Sequence, residues 1–383
     1  MPSVPCRRFL MPTLVLAAAG LVAVGCSESR PPAATADAAG TSTAAPGQKP
    51  RRLIFITNGD DPFWDACLSG LKEGEQRFAC AKAGLTVARD VNNGTAEGQI
   101  ERLRQYATQD DVAGVAISVI QADNQSIVDE MKRLQAKGVK VITVDADVNR
   151  DTFRDARRYY IGTDNRVGGR TLGAAAKAIL EAKGVKDGGY VQFAGFTDND
   201  NARDRMDGVS DAIGVAYVQR DRMADEMDHL RARDNVRNAM QNHKDVAALI
   251  GIWAYNAPAI ADVITETGSR DRYVVATFDA APLAIGQMDK GTIDAMVVQN
   301  PFEMGVQTVR LLKAMVEDDT AVLAEMYPRS GQPDGDIYTT GLRVVVPDDS
   351  SPVKAAIFDP AVVEFMTLPA FKAWLARYGL TGS

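Results

Sequence analysis

The sequence predicts an α/β protein with two lobes, each a doubly wound parallel sheet covered on both faces by helices. Short apolar runs rich in β-branched residues alternate with amphipathic stretches, which is the pattern of such a sheet. One series of this kind runs from about Arg51 to Ile161, and a second begins at Val167. With 383 residues, the chain is long enough for two separate cores.

The composition is that of an ordinary folded protein, and it excludes one class of partner. Apolar residues make up 46% of the chain and charged residues 24%, with a formal net charge of −7. Nucleic-acid binding needs a concentrated basic surface, and the sequence has no basic run of that kind. We therefore expect no nucleic-acid partner.

The first 26 residues have the pattern of a processed leader. A region with two arginines precedes an apolar run, Leu10–Val24, and small residues then lead to Cys26. This resembles the lipobox of bacterial lipoproteins, although Ala23 stands where leucine is usual. We expect residues 1–26 to be a lipoprotein signal peptide and Cys26 to be lipidated. The alternative is an ordinary secretory signal with an incidental cysteine.

Residues 27–50 are almost entirely small and polar, too poor in apolar side chains to bury a core. As a flexible coil, this segment would span on the order of 25–30 Å. It is predicted to be a tether that holds the folded part at the cell envelope, in the periplasm or on the outer cell surface.

The folded part opens with a buried strand, Leu53–Thr57, a polar turn and a helix entered through Pro62. Proline fits the first helical turn because its missing N–H would have no partner there. Cys67 and Cys80 both fall in this predicted helix, with backbones about 20 Å apart at 1.5 Å per residue, beyond disulfide reach. We expect two free, buried thiols.

The alternation then continues through both lobes. The N-terminal lobe is predicted to contain strand Leu85–Ala88, helix Ala96–Thr108, strand Gly114–Ser118, helix Ala122–Ala136, strand Lys140–Val144 and strand Tyr159–Ile161. The second series along the chain is predicted to contain helices at Val167–Ala182, Ala202–Gly214, Leu230–Asn242, Ala259–Thr267, Pro282–Lys290 and Glu303–Glu317, and strands at Gly189–Phe193, Val215–Gln219, Ala247–Ile252, Tyr273–Thr277 and Ala295–Val298. Beyond them, Tyr338–Pro347 is predicted to be one strand, and 351–378 two short helices.

Polar and aromatic side chains follow the predicted strands at their carboxyl ends, where open parallel sheets bind ligands. Carboxylates accept hydrogen bonds from hydroxyls, arginine donates them, amides do both, and aromatic faces cover C–H surface. Such a set suits a small polyhydroxylated ligand. The strand ends lead to Asp61, Phe63 and Trp64, to Ser118, to Asp145, to Arg203, to Asn256, to Phe278 with Asp279, and to Gln299.

Seven short motifs occur in order along the chain: FITNGDDPFW, VDADV, IGTDN, NARDRMDG, WAYN, ATFDA and VVQNPFEMG. Together they resemble the ribose-binding-type (type I) periplasmic sugar-binding proteins, from about Arg52 to Val346. The resemblance implies that the ten strand-end residues just named contact the ligand, with Met227 as a less close match. Three residues depart from the ribose pattern: Ala146 replaces an arginine, Asp61 an asparagine, and Met227 an aromatic residue. Ribose itself is therefore not implied.

The resemblance also implies that three hinge crossovers join the lobes, near Gly162–Thr163, near Gln299–Asn300 and before Tyr338. The N-terminal lobe would comprise residues 51–161 and 301–335, and the C-terminal lobe residues 163–299 and 338–346. Residues 351–383 would form a C-terminal extension to which neither the residues nor the resemblance assign a role.

Plainer interpretations exist for some of these residues. Arg203 could be a surface charge paired with Asp200 or Asp207. Phe63 and Trp64 are adjacent and cannot both face the ligand, and we expect Trp64 to do so.

The sequence offers little for metal binding or catalysis. His229 and His243 have no zinc-type spacing around them, and Asp198–Asn201 begins like a calcium loop but lacks its glycine and closing glutamate. No phosphate loop or activated nucleophile motif occurs. We expect no cofactor, no metal and no enzymatic activity.

The sequence thus predicts a monomeric solute-binding lipoprotein that captures a small sugar or polyol by hinge closure and delivers it to an ABC transporter permease. It would contact the membrane only through its lipid anchor. One alternative is a ligand-sensing module that presents its closed form to a membrane receptor or kinase. A repressor of the lac-repressor type would need a DNA-binding helix pair where this chain has its leader and tether.

Overall fold

The computed structural model describes residues 50–383, so the leader, Cys26 and the tether up to residue 49 lie outside the described residues. The strands are β1 (Arg51–Ile56), β2 (Leu85–Asp90), β3 (Val112–Ile117), β4 (Lys140–Val144), β5 (Tyr160–Gly162), β6 (Gly188–Ala194), β7 (Tyr217–Ala224), β8 (Val246–Gly251), β9 (Val274–Phe278), β10 (Ala295–Val298), β11 (Ile337–Thr339), β12 (Leu342–Val346) and β13 (Val363–Thr367). The helices are α1 (Phe63–Arg77), α2 (Ala96–Tyr106), α3 (Gln125–Ala136), α4 (Asn165–Ala182), α5 (Asp200–Ala212), α6 (His229–Asn242), α7 (Asn256–Glu266), α8 (Pro282–Asp289), α9 (Pro301–Val316), α10 (Thr320–Met326) and α11 (Leu368–Arg377).

The strands form two sheets that repeat one order. The N-terminal lobe is built on β11-β5-β4-β3-β1-β2, and the C-terminal lobe on β13-β12-β10-β9-β8-β6-β7. Neighbouring strands are parallel, except that β12 runs antiparallel to β10. Each sheet has a hydrophobic core on both of its faces. The predicted fold class, α/β with two doubly wound lobes, is confirmed.

The central strands are apolar because helices cover them on both sides. Every residue of β3 (VAGVAI) and β9 (VVATF) is buried. This continuous burial is typical of strands inside a parallel sheet. The carboxyl ends of β4 and β9, which occupy equivalent places in the two sheets, are therefore held in rigid surroundings.

The chain passes between the sheets three times: from β5 into α4, from β10 into α9, and from β11 into β12. The predicted single strand Tyr338–Pro347 is wrong at this third passage. Residues Ile337–Thr339 pair with β5 in the N-terminal sheet, and Leu342–Val346 pair with β10 in the C-terminal sheet. Gly341, at φ +74°, makes the turn between them, a backbone conformation that favours glycine.

An ion-pair network braces the strand that precedes this third passage. Asp336 accepts hydrogen bonds from Arg154, 2.9 Å from its Nε, and from Arg157. The side chain of Arg157 is fully buried and also bonds Asp147 at 2.7 Å. Burial alone would raise the pKa of Asp336, but the hydrogen bonds from the two arginines outweigh it and lower that pKa.

Two close helix crossings set the positions of α1 and α5, the helices that follow the first strand of each lobe. A Cβ atom on Gly70 of α1 would lie 1.8 Å from the backbone oxygen of Phe302 in α9. A Cβ atom on Gly169 of α4 would lie 2.0 Å from the backbone oxygen of Arg205 in α5. Glycine is therefore required at both crossings. The first crossing fixes the position of α1, and the second fixes the position of α5.

The first helix is shorter than predicted. It ends at Arg77, and Ala79 adopts φ +49°, so Cys80 lies in a separate 3-10 turn instead of the same helix as Cys67. Both thiols are free and buried, as expected. Burial raises the pKa of the Cys67 thiol.

The residues after β12 extend the C-terminal lobe. Of the two short helices expected in 351–378, the first is only a 3-10 turn at Ala355–Ile357. The expectation missed a strand between them, because Val363–Thr367 adds β13 to the sheet, parallel to β12. The second is α11, which buries Leu368, Phe371 and Leu375 in the core of the lobe.

Candidate functional site

The two lobes present equivalent aspartates at the ends of β4 and β9. Asp145 and Asp279 both adopt left-handed backbone conformations, at φ +67° and +63°. Each donates its backbone N–H to the next strand of its sheet, Asp145 to Ile161 at 2.9 Å and Asp279 to Val297 at 2.7 Å. The repeated strand order thus places one carboxylate from each lobe at the corresponding strand end.

Asp145 is half-buried, and Ser118 Oγ donates a hydrogen bond to its Oδ2 at 3.1 Å. Burial raises the pKa of Asp145 to about 6. Arg205 opposes this rise, while the negative charges of Asp279 and Asp61 add to it. These interactions join residues of both lobes, so the carboxylate lies in an electrostatic environment that the two lobes share.

Asp279 is 5% exposed, and Gln299 holds its carboxylate. The amide nitrogen of Gln299 lies 3.1 and 3.3 Å from the two carboxylate oxygens. Burial raises the pKa of Asp279, and both Arg205 and Gln299 oppose that rise. Gln299, itself 3% exposed, therefore fixes the orientation of the Asp279 carboxylate.

Arg205, which the sequence analysis did not select, is the cation buried beside the two aspartates. Its guanidinium carbon lies 4.0 Å from the centre of the Phe278 ring, and its Nη1 lies 3.8 Å from Asp279 Oδ2. It also donates to Asn165 Oδ1 at 2.9 Å and to the backbone oxygen of Ile252 at 3.2 Å. Burial lowers the pKa of Arg205. Phe278 is fully buried beneath this guanidinium.

A sequence signal for Arg205 exists. Ala202, Arg205, Met206 and Val209 are all buried and are spaced as the inner stripe of α5. Arg203 lies off that stripe: its side chain is 51% exposed and is paired with Asp200. Arg203 nevertheless lines the cavity described below, at its outer edge.

The aromatic residues divide differently from expectation. Trp64 is 3% exposed and packs in the core of the N-terminal lobe, with its Nε1 donating to Asn58 Oδ1 at 3.1 Å. Phe63 is half-buried and lies edge-on to Trp64, with ring centres 4.9 Å apart. In this structure Phe63, and not Trp64, is the more exposed of the two rings. Asp61, which is exposed, accepts the backbone N–H of Phe63 at 2.8 Å.

Asn256 is used inside the C-terminal lobe. It is 1% exposed, accepts the backbone N–H of Trp253 at 3.0 Å and donates to Asp225 at 2.9 Å. Trp253 remains half-buried, and its Nε1 donates to Asn201 at 3.1 Å. Met227 is 58% exposed in the neighbouring loop. Asn256 thus fixes the loop that carries Trp253.

A cavity of about 610 Å³ lies beside Asp145. Pockets of roughly 300–1,000 Å³ are usual for small-molecule ligands. Loops from both lobes line it, including Asp145, Asn165, Asn201, Arg203 and Asp204.

Neither a metal site nor a membrane span is evident in residues 50–383. Within them, no three His, Cys, Asp or Glu side chains come together as metal ligands. The 198–201 run caps α5, since Asn199 accepts the N–H of Asn201 at 3.1 Å. Over the same part of the chain, every helix is too short or too polar to cross a bilayer.

Comparison with known proteins gives one family. A family model described as periplasmic binding protein domain matches residues 53–320. The D-allose-binding periplasmic protein of Escherichia coli (strain K12) is 22% identical over 268 residues, which cover 68% of this chain and 82% of that protein.

Solved structures share the fold. An ABC transporter solute binding protein from Burkholderia graminis, in complex with D-arabinose, superposes with a TM-score of 0.65 at 24% identity, covering 80% of this chain and 98% of that one. Another, from Actinobacillus succinogenes with bound D-allose, gives 0.65 at 15% identity, covering 77% and 97%. Because the family model matches more than half of this chain, the chain belongs to the periplasmic binding protein domain family.

Proposed function

We propose that this protein captures a small sugar or polyol between its two lobes and delivers it to an ABC importer. The observation that carries the proposal is the pair Asp145 and Asp279, one from each lobe, which interact electrostatically and are each oriented by an uncharged donor. The E. coli relative that binds D-allose, and the related folds solved with D-arabinose and D-allose, support this ligand class.

The chemistry of the site suits a neutral ligand with several hydroxyl groups. Hydroxyls can donate to the two carboxylates, and the charged acceptor makes such hydrogen bonds stronger than neutral ones. Phe63, half-buried at the start of α1 in the N-terminal lobe, offers an apolar face for the C–H surface of such a ligand. A ligand that contacts both aspartates favours the arrangement in which the lobes close, through its differential affinity for that arrangement.

Isothermal titration against a panel of pentoses, hexoses and polyols tests the proposal. We expect Asp145→Ala and Asp279→Ala each to weaken binding by more than about 2 kcal/mol, because each removes a charged acceptor and leaves ligand hydroxyls unpaired. Asp187→Ala, an exposed aspartate before β6, is the matched control and should bind as the wild type does. Absence of binding across the whole panel would exclude a sugar ligand. Normal affinity in both cleft variants would mean that the ligand binds elsewhere.

The proposal includes a lipid anchor at Cys26, a location at the cell envelope and a monomeric state, all of which rest on the sequence. The cysteine at the end of the leader and the small, polar segment after it support the anchor. Cys26→Ser should move the protein from the membrane fraction to the soluble fraction. If the variant and the wild type fractionate alike, the anchor is excluded while the sugar proposal stands.

A further inference from the structure

Gly379–Ser383, here called the 379–383 segment, turns back from α11 towards the ligand site. Gly379 adopts φ +65°, its N–H bonds Ala376 at 3.2 Å, and the N–H of Leu380 bonds Leu375 at 2.9 Å. These are the two hydrogen bonds of a Schellman motif, which ends a helix and reverses the chain. The reversal directs the remaining residues to the loop that follows Asp279.

Ser383 pairs with Ala280 through two backbone hydrogen bonds. The N–H of Ala280 donates to the oxygen of Ser383 at 2.9 Å, and the N–H of Ser383 donates to the oxygen of Ala280 at 3.1 Å. This reciprocal exchange is that of a hydrogen-bonded pair in an antiparallel sheet. Ser383 is 5% exposed, and Ala280 is fully buried. Ser383 thus supplies partners for both backbone groups of Ala280, and buried backbone groups in folded proteins are almost always paired in this way.

Gly382 makes the close approach possible. A Cβ atom at this position would lie 2.7 Å from the backbone oxygen of Ala280 and 2.9 Å from Cδ of Pro282. Neither neighbour is the end of a flexible side chain that could move aside. The fit between the 379–383 segment and the loop at Asp279 is therefore tight.

The N-terminal lobe satisfies the equivalent residue locally. Ala146, directly after Asp145, donates its N–H to Val144 at 2.8 Å and accepts the N–H of Val119 at 3.1 Å. Both partners belong to the N-terminal lobe's own strand ends. In the C-terminal lobe, Ser383 supplies what Val144 and Val119 supply in the N-terminal lobe.

We propose that the 379–383 segment is a positioning element of the ligand site, which fixes Ala280 and thereby holds Asp279 in its left-handed conformation with the carboxylate beside Arg205 and Gln299. The left-handed conformation is disfavoured for residues other than glycine, so it persists where neighbours impose it. Asp279 has Val297 on its N-terminal side and, through Ala280, Ser383 on its C-terminal side. The inference rests on the proposed function, since the carboxylate is positioned for a ligand.

Two variants test this role in the full chain. One lacks residues 381–383 and keeps α11 with its Schellman motif. The other is Gly382→Ala, with Gly286→Ala as matched control, because a Cβ atom on Gly286 would enter open space. We expect both test variants to bind the sugar found by titration about tenfold more weakly, mainly through faster dissociation, since preorganisation is lost. The control should bind as the wild type does.

A double-mutant cycle separates positioning from general stability. Removing residues 381–383 should have no further effect on affinity in the Asp279→Ala background, and its full effect in the Asp145→Ala background. Equal effects in both backgrounds would overturn the inference, and so would wild-type affinity in the two test variants.

Hydrogen exchange at the Ala280 amide tests the anchoring without a ligand. We expect exchange at this amide to be at least tenfold faster in both test variants and unchanged in Gly286→Ala. Unchanged exchange in the test variants would overturn the inference even if the sugar proposal holds. If the wild type binds no sugar, the proposed function fails, while this measurement still decides whether Ser383 fixes Ala280.

Discussion

Replacing Asp145 with asparagine should make the ligand-free protein more stable and the binding site weaker. Burial raises the pKa of Asp145 from its ordinary value of 3.8 to about 6. At 1.36 kcal/mol per pKa unit, ionising this group in the folded protein costs about 3 kcal/mol more than in water. Between these two pH values the folded state binds more protons than the unfolded state, so the contribution of Asp145 to stability falls as pH rises from about 4 to about 6.

Asparagine has nearly the same shape and carries no charge. Asp145→Asn and the wild type should therefore have equal free energies of unfolding near pH 4. At pH 7 the free energy of unfolding of the variant, measured by thermal unfolding, should be higher by up to about 3 kcal/mol. Asp145→Leu is a control that changes the shape of the side chain as well as its charge. Other titratable groups interact with Asp145, among them Arg205, Asp279, Asp61, Tyr160 and Cys67, so the difference in stability between the variants must be measured over the full pH range. An asparagine variant that is no more stable than the wild type at pH 7 would refute the reasoning.

The same ionisation should govern affinity. If ligand hydroxyls donate to ionised Asp145, lowering the pH from 7 to 5 protonates the free site and weakens binding by about tenfold, since each pH unit below a pKa costs a factor of ten. Titrations at several pH values measure this, and Asp145→Asn should bind weakly with a flatter profile. Wild-type affinity that does not change between pH 5 and pH 7 would contradict the assignment of Asp145 as an ionised acceptor.

Three further predictions concern Arg205, the adjacent aromatic residues Phe63 and Trp64, and Asp336. Arg205→Met should lower the free energy of unfolding by about 3–5 kcal/mol at pH 7, because it leaves Asp279 without its buried cation; a second change, Asp279→Asn, should recover part of the loss. Trp64→Ala should cost about 3–5 kcal/mol of stability in denaturant unfolding. Phe63→Ala should mainly weaken sugar binding. If Trp64→Ala weakened sugar binding and Phe63→Ala lowered stability instead, Trp64 and not Phe63 would be the ring that contacts the ligand. Asp336→Asn should destabilise the protein at neutral pH. The difference in unfolding free energy from the wild type should stay constant above about pH 4 and shrink gradually at lower pH, because the pKa of Asp336 is lowered in the folded state and its stabilisation is lost only as the pH falls from the unfolded-state pKa through the folded-state one.

Much of the architecture could be predicted from the sequence because parallel strands carry a strong local signal. Strand β9, VVATF, is apolar except for Thr277 and is followed at once by Asp279, so both the strand and its polar end are evident in the sequence. The third passage between lobes was harder, since β11 has only three residues and its membership is set by pairing with β5 far away in the chain. Gly341 was the local signal for a break there.

Which side chains of α1 and α5 are buried at the site depends on how each helix is rotated about its axis, and the sequence does not determine that rotation by itself. The contact of α1 with α9 at Gly70 sets a rotation of α1 in which Trp64 is buried in the core and Phe63 is half-buried. Arg205 could have been found from its place on the apolar stripe of α5, whereas Arg203 matched only a motif. Asn256 bonds Trp253 within its own turn, but its hydrogen bond to Asp225 is tertiary, so its buried position could not be predicted from spacing.

The pairing of Ser383 with Ala280 also makes the two halves of the site depend on different stretches of the chain. Asp145 and Ala146 obtain their backbone partners from residues 119–161 of the N-terminal lobe. Ala280 obtains its partner from Ser383, about a hundred residues later in the sequence. A protease that trims the chain after α11 would therefore remove a backbone partner from one side of the site and leave the other side unchanged.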